Sequence, residues 1–208
     1  QGFYEKLQRT FKSEAHCQAL SQNNGFGHAH NIAINGQNES TYHLILNPDV
    51  IVHDKCLEKM MDYMDQNQDV VLMGPKILNE DGSIQKLNKR EPTFFDLFAR
   101  RFLPGFIRNR SIVKKRMARY IMEDVGYEDI CEIPYMSGCF MLFRRDALEK
   151  LKGFDENFFM YLEDADITKR AAQIGRVLYF PEAIITHKWA RGSHRSRKLT
   201  WITIQSAF

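Results

Sequence analysis

The chain has 208 residues, of which 44% are hydrophobic and 26% charged, with 12 glycines and only 6 prolines. That composition suits a globular chain long enough for one large α/β domain, and it excludes disordered, collagen-like and disulfide-stapled proteins. The net charge of +3 is unevenly spread. Residues 89–119 hold ten Lys or Arg against two acidic residues, and residues 187–198 add five more basic residues with no acid. Two basic patches on an acidic body predict contact with phosphate groups, an anionic membrane surface or nucleic acid. Solvated basic loops would give the same composition.

No apolar run approaches the roughly 18 residues that a membrane-spanning helix needs. Cys17, Cys56, Cys131 and Cys139 form no C-x-x-C pair, which predicts reduced cytosolic thiols. The first residue is Gln1, with no basic-then-apolar signal segment behind it. The chain is read as beginning inside a longer protein.

In chain order, residues 4–11 (YEKLQRTF) predict a helix with Leu7 and Phe11 on one face. A polar glycine turn then passes into a helix-compatible run ending near residue 35. Residues 42–46 (YHLIL) predict a short buried strand, ended by Asn47-Pro48-Asp49. Leu57, Met60, Met61 and Met64 have the spacing of an amphipathic helix. Residues 70–73 predict a strand and residues 79–83 (NEDGS) a hairpin-type turn.

The basic segment 89–120 reads as an excursion from the fold. Within it Phe94, Phe95, Phe98, Phe102 and Phe106 form a helix-like apolar stripe beside many cations, a composition suited to a membrane surface or to packing on the protein's own core. Residues 137–143 predict a strand. Asp146 and Glu149 predict a capping box on a short helix that stops at Gly153. A second helix is expected from about residue 163 to 174, then two short strands at 177–180 and 183–186. Strands alternating with helices predict an α/β fold, a mostly parallel sheet with helices on both faces. Residues 1–208 are read as one domain.

Four places carry candidate chemistry. Asn47-Pro48-Asp49 closes a hydrophobic strand, where open α/β sheets bind ligands. Asp49 could hold a hard divalent cation there, although Asn-Pro-Asp is also an ordinary turn. Glu163-Asp164 follows a bulky apolar lead-in at a helix start. Helix capping explains such carboxylates, and so does a partly desolvated general base. Gly25-Phe26-Gly27 with Asn31 permits close backbone approach to a ligand without forming a dinucleotide fingerprint. His187 ends the last strand as a structural residue or as a metal or phosphate ligand. Five of the seven histidines fall within residues 16–53 in no zinc spacing. Phosphate-loop, nucleophile-elbow and H-E-x-x-H patterns are absent from the sequence.

Taken in order, NNGFGHAHN (23–31), LILNPDV (44–50), MSGCFMLFRRDAL (136–148), GFDENFFMYLEDADI (153–167) and ITH (185–187) resemble the family 2 inverting glycosyltransferases of GT-A fold. The likeness is greatest to the bacterial rhamnosyltransferase-like branch that builds O-antigen and other surface polysaccharides. It spans about residues 21–190 without the basic excursion. The resemblance implies a Rossmann-like GT-A sheet and transfer of a sugar, with rhamnose from a dTDP donor as the leading candidate. The implied acceptor is a saccharide on a polyprenyl diphosphate, and the implied cofactor is Mg²⁺ or Mn²⁺.

Residue by residue, it implies that Asp49 coordinates the metal on the donor diphosphate, with Asn47 at the family's first acidic position. His187 would complete that metal site. Asp164 would deprotonate the acceptor hydroxyl, with Glu163 shaping its setting. Gly25, Phe26, Gly27 and Asn31 would lie along the nucleotide, and Ser137, Gly138, Cys139 and Tyr161 would face the transferred sugar and acceptor. The family's first strand–helix–strand unit, which holds the nucleotide base, is missing here, so the chain is expected to be part of a longer protein. The implied location is cytoplasmic, peripheral at the inner face of the membrane, with no nucleic-acid partner. Two rival readings are a basic nucleic-acid-binding protein, which leaves the strand-end carboxylates without a role, and an inactive membrane-associated carbohydrate-binding relative.

Overall fold

Along the central strands, successive side chains divide between two hydrophobic cores, as a pleated sheet covered on both faces requires. Met141 and Phe143 enter one core while Phe140 and Leu142 enter the other; Val177 and Tyr179 are likewise opposed to Leu178 and Phe180. The structure, a computed structural model, describes residues 18–36, 39–90, 111–160 and 162–188. The helix expected at 4–11, Cys17, the phenylalanine stripe, Tyr161 and the second basic patch beyond Lys188 lie outside the described residues.

The described elements are α1 (Phe26–Ile34), β1 (Tyr42–Leu46), β2 (Val50–Val52), α2 (Cys56–Gln66), β3 (Val70–Leu78), α3 (Ser111–Tyr120), β4 (Cys131–Glu132), β5 (Phe140–Arg144), α4 (Arg145–Lys150), α5 (Glu163–Ala171) and β6 (Arg176–His187). The sheet order is β1-β5-β3-β6-β2, with β4 on the other part of β6. Helix α2 covers one face by burying Cys56, Met60 and Met64; of the four positions its spacing predicts, Met60 and Met64 are buried, while Leu57 and Met61 are half-buried at the edge of the same core. Ile34 of α1, Ala147 and Leu148 of α4, and Ile167 and Ala171 of α5 cover the other.

The class is the expected α/β, and its parallel character is concentrated in the long β3–β6 pair, while the other described pairings are antiparallel. The turn after β1 sends β2 straight back along the end of β6, which makes that edge antiparallel. The two strands expected at 177–180 and 183–186 are one twelve-residue strand. Its register shifts where Phe180 and Ile184 face Pro75 and Lys76. Pro75 and Pro181 lack a backbone N–H, so an irregularity in the ladder falls there.

The predicted capping box does not form. Helix α4 begins directly out of β5, and Arg144 occupies its N-cap with no side-chain cap. Asp146 instead pairs with Lys150 at 3.1 Å, and Glu149 accepts from Arg145 Nε at 2.7 Å. The reason is tertiary: Arg144 donates to the carbonyls of Val70 (2.8 Å) and Asn67 (3.2 Å), and Arg145 to that of Ile34 (2.5 Å). Those buried bonds fix where strand becomes helix. The strand expected at 137–143 starts only at Phe140, which leaves residues 137–139 as irregular backbone at the sheet's end. Helix α5 ends at Ala171, short of residue 174, with the Gly175 N–H closing the turn on the Ala171 carbonyl at 3.2 Å. Cys56, Cys131 and Cys139 are free thiols. No helix among the described residues is long and apolar enough to cross a membrane.

Candidate active site

Residues 137–139 join the two carboxylate motifs. The Gly138 N–H donates to Asp164 Oδ2 at 3.1 Å, and the Cys139 carbonyl accepts from the Asn47 N–H at 2.9 Å. One short stretch of backbone therefore ties the start of α5 to the turn after β1. Three motifs spread over more than a hundred residues of chain meet at one end of the sheet, where ligands bind in open α/β folds.

The turn places Asp49 opposite the end of β6. The Val50 N–H donates to the Asn47 carbonyl at 3.3 Å, the chain reverses, and Val50 pairs with His187. The Lys188 N–H then donates to the Asp49 carbonyl at 2.9 Å. This register brings His187 Nε2 to 3.5 Å from Asp49 Oδ1. The imidazole is buried, with its Nδ1 2.8 Å from Gln85 Oε1.

Asp164 is half-buried and held by three donors. Tyr135 Oη donates to Oδ1 at 2.9 Å, the Ala165 N–H to Oδ1 at 3.0 Å, and the Gly138 N–H to Oδ2. Burial, then the neighbouring Asp164 charge, holds the Tyr135 phenol well above its ordinary value, so it remains a donor. Lys89 Nζ stands 4.3 Å over the ring of Tyr135. Leu162, at φ 71°, makes the left-handed turn that starts α5 and presents Glu163 and Asp164 in its first turn.

Glu163 is in a different setting. It is buried and its Oε2 has no hydrogen-bond partner. Burial first, and the Asp164 charge second, push its carboxyl up to about 7. The adjacent carboxylates thus differ sharply: Asp164 accepts three hydrogen bonds, while Glu163 Oε2 has none and its carboxyl is driven toward the neutral acid.

The remaining expected residues divide between the neighbourhood of Asp164 and the scaffold. Phe26 comes up to the 137–139 backbone, its ring edge 3.7 Å from where a Cβ on Gly138 would stand. Gly25, at φ 104°, lies so close to the loop before α5 that a Cβ would meet the Phe159 carbonyl oxygen at 2.3 Å. A Cβ on Gly27 would meet Phe154 Cβ at 2.9 Å. Asn31 is buried and donates to Phe154 O and Glu156 Oε1, each at 2.9 Å, while accepting from the Phe154 N–H at 2.8 Å. Each of the three therefore has a local task in docking α1 on the 153–160 loop.

Ser137 is half-buried and bonds the Cys139 thiol. Cys139, expected to face the transferred sugar, is instead 3% exposed in the core beneath α2, and burial pushes its thiol up to about 11. In the turn before β5 its side chain faces inward while its carbonyl accepts from the Asn47 N–H. Tyr135, Gln85 and Lys89 are residues that no sequence signal singles out. Their roles arise from contacts across the sheet.

Asp49 and His187 fit a divalent cation held largely by substrate. Among the described residues no group of three or more His, Cys, Asp or Glu is placed to hold a metal ion. The 3.5 Å between Nε2 and Oδ1 is long for a hydrogen bond, yet one small cation could touch both atoms. Mg²⁺-type sites often use one or two protein ligands plus phosphate oxygens and water.

Comparison with known proteins bears on the family and the fold. The chain is 27% identical over 154 residues to the N-acetylglucosaminyl-diphospho-decaprenol L-rhamnosyltransferase of Mycobacterium tuberculosis (strain ATCC 25618 / H37Rv), covering 73% of this chain and 48% of that protein. It is also 27% identical over 178 residues to the rhamnosyltransferase WbbL of Escherichia coli (strain K12), covering 83% of this chain and 63% of that one. It thus spans about half to two-thirds of these relatives. Among solved structures, GalNAc-T7 with UDP, GalNAc and Mn²⁺ superposes with a TM-score of 0.63 at 15% identity, covering 91% of this chain and 35% of that one. S. aureus TarS 1-349 superposes with a TM-score of 0.55 at 14% identity, covering 97% of this chain and 51% of that one. These likenesses give the fold, the GT-A type. Residues 3–152 match the family described as Glycosyl transferase family 2, and the chain belongs to that family.

Proposed function

We propose that the protein of which this chain is all or part is an inverting, nucleotide-sugar-dependent glycosyltransferase of surface-polysaccharide synthesis. The proposed reaction moves rhamnose from a dTDP donor to a saccharide carried on a polyprenyl diphosphate. The observation that carries this reading is the 137–139 backbone, which hydrogen-bonds both the Asp164 carboxylate and the Asn47–Asp49 turn at one end of the sheet. The names of the two rhamnosyltransferase relatives support the sugar and acceptor.

In this mechanism Asp164 accepts the proton of the acceptor hydroxyl as that oxygen attacks the anomeric carbon. The bond to the donor's phosphate oxygen breaks on the opposite side, which inverts the centre. Tyr135 and Gly138 hold the carboxylate through hydrogen bonds to its two oxygens, aiming it for that transfer. Asp49 and His187 would hold Mg²⁺ or Mn²⁺. Such a cation, when bound, offsets the charge that develops on the leaving diphosphate. One base and no acid suffice, unlike glycoside hydrolysis, where the leaving oxygen must be protonated.

The test is transfer itself, with the full protein, dTDP-rhamnose, Mg²⁺ and a polyprenyl-diphosphate-linked N-acetylglucosamine. Nuclear magnetic resonance of the product reads the anomeric configuration. Product with inverted configuration is expected. Retained configuration would overturn the single-base mechanism. Saccharide binding without turnover against a panel of donors would make the protein a carbohydrate-binding relative.

A further inference from the structure

A line of side chains runs from the turn after β3 to His187. Asp81 Oδ1 accepts from the Ser83 N–H at 2.9 Å and from the Ser83 hydroxyl at 2.5 Å. Those bonds hold the Asp81 carboxyl below its ordinary range, so at neutral pH it only accepts. The one hydroxyl proton of Ser83 is thereby committed, and Ser83 Oγ accepts from Asn79 Nδ2 at 2.9 Å. This orients the Asn79 amide, whose Oδ1 accepts from Gln85 Nε2 at 2.7 Å. Gln85 Nε2 also lies 3.4 Å from the His187 carbonyl. Its Oε1 is left facing His187 Nδ1 at 2.8 Å.

An amide oxygen only accepts, so the ring proton must sit on Nδ1. A neutral imidazole protonated there carries its lone pair on Nε2, the atom 3.5 Å from Asp49 Oδ1. In that neutral form Nε2 and Oδ1 are both acceptors, an arrangement that a cation between them satisfies. The opposite tautomer would point a proton at Asp49.

Backbone bonds hold the line in place. The Asn79 N–H donates to Ser83 O at 2.8 Å, the Gly82 N–H to Asn79 O at 3.0 Å, and the Gln85 N–H to Ile77 O at 2.8 Å. Gly82 takes φ 80°, which the turn needs. Gln85 itself is buried, away from competing water.

We propose that Gln85 is a positioning residue. It fixes His187 in the Nδ1–H tautomer and so presents the Nε2 lone pair, beside Asp49 Oδ1, to a divalent cation. This rests on the metal reading given above, and it adds that the 79–85 turn sets the ligand's tautomer.

Two measurements on the full chain test it. Long-range ¹H–¹⁵N correlation of the histidine rings, without metal, should show Nδ1 protonated and Nε2 as the lone-pair nitrogen at His187. Electron paramagnetic resonance of free Mn²⁺, with the metal alone as probe, should show Gln85→Leu weakening binding about 10–100-fold, the usual cost of losing a partner behind a metal-ligating histidine. Gln85→Glu keeps an acceptor facing Nδ1 but turns its second oxygen toward Asn79 Oδ1, so it should recover part of the affinity that Gln85→Leu loses. An Nε2–H tautomer in the unaltered chain overturns the proposal, and that spectrum needs no variant to fold. So does Gln85→Leu binding Mn²⁺ as tightly as the parent. Failure of the parent itself to bind Mn²⁺ would overturn the metal reading and this use of Gln85 with it.

Discussion

Gly138 and Asp164 are joined backbone to side chain: the Gly138 N–H donates to Asp164 Oδ2 at 3.1 Å, and a Cβ on Gly138 would stand 3.2 Å from Asp164 Cβ. That contact is tighter than ordinary van der Waals packing. Any side chain at residue 138 would press on the carboxylate that we assign as base, so the glycine permits the contact by lacking one.

If Asp164 is the base, Asp164→Asn keeps its size and loses its proton affinity. The expected loss in turnover is on the order of 10²–10⁴, the usual worth of general-base catalysis, with donor affinity little changed. Steady-state kinetics of this variant beside Glu163→Gln decides the assignment. A severe loss in Glu163→Gln with a near-silent Asp164→Asn would reverse the two roles.

Asp49→Ala should abolish the part of nucleotide-sugar affinity that depends on Mg²⁺ or Mn²⁺. Calorimetric titration with and without metal measures it. Equal affinities under both conditions in the parent protein would remove Asp49 from metal binding.

Glu163 makes stability depend on pH. Its folded value, about 7, lies above the ordinary 4.5, so the folded state holds the proton more tightly than the unfolded state. Its contribution is fully present below about pH 4.5, falls as pH rises, and is gone above about 7. At 1.36 kcal/mol per unit the difference is about 3 kcal/mol. Urea denaturation at pH 4.5 and pH 7.5 should show this decline in the parent and a flatter dependence in Glu163→Gln.

Tyr135→Phe removes a buried donor to a carboxylate. Hydrogen bonds to charged groups contribute about 1.5–3 kcal/mol, and a loss of that size in unfolding free energy is expected. No change in the denaturation midpoint would mean that the two backbone donors alone hold Asp164.

The exposed Lys114, Lys115, Arg116 and Arg119 of α3, with Arg100 and Arg101 before them, motivate a membrane proposal. Near an anionic surface each cation contributes roughly 1 kcal/mol. Flotation with anionic liposomes should be salt-sensitive and should drop when Arg100, Arg101, Lys114, Lys115 and Arg116 become Gln. Equal flotation with neutral liposomes, or none with either, refutes the idea.

The sequence by itself determined what depends on local periodicity. Met60 and Met64 turn inward because their helical spacing leaves no other face, and the apolar run 42–46 ends where Asn47-Pro48-Asp49 must turn. It also placed Asp49, Asp164 and His187 at the ends of elements, where side chains can reach a ligand. Only the tertiary structure decided which of these ends meet. The antiparallel pairing of Val50 with His187 sets Asp49 beside an imidazole 138 residues away. The late start of β5 frees Gly138 to bind Asp164 and turns Cys139 into the core. The failed capping box has the same origin: Arg144 and Arg145 found carbonyls on other elements and fixed the start of the helix without a cap. Spacing along a chain sets which way a side chain points, but its partner is chosen by sheet register, which sums contacts from every strand at once.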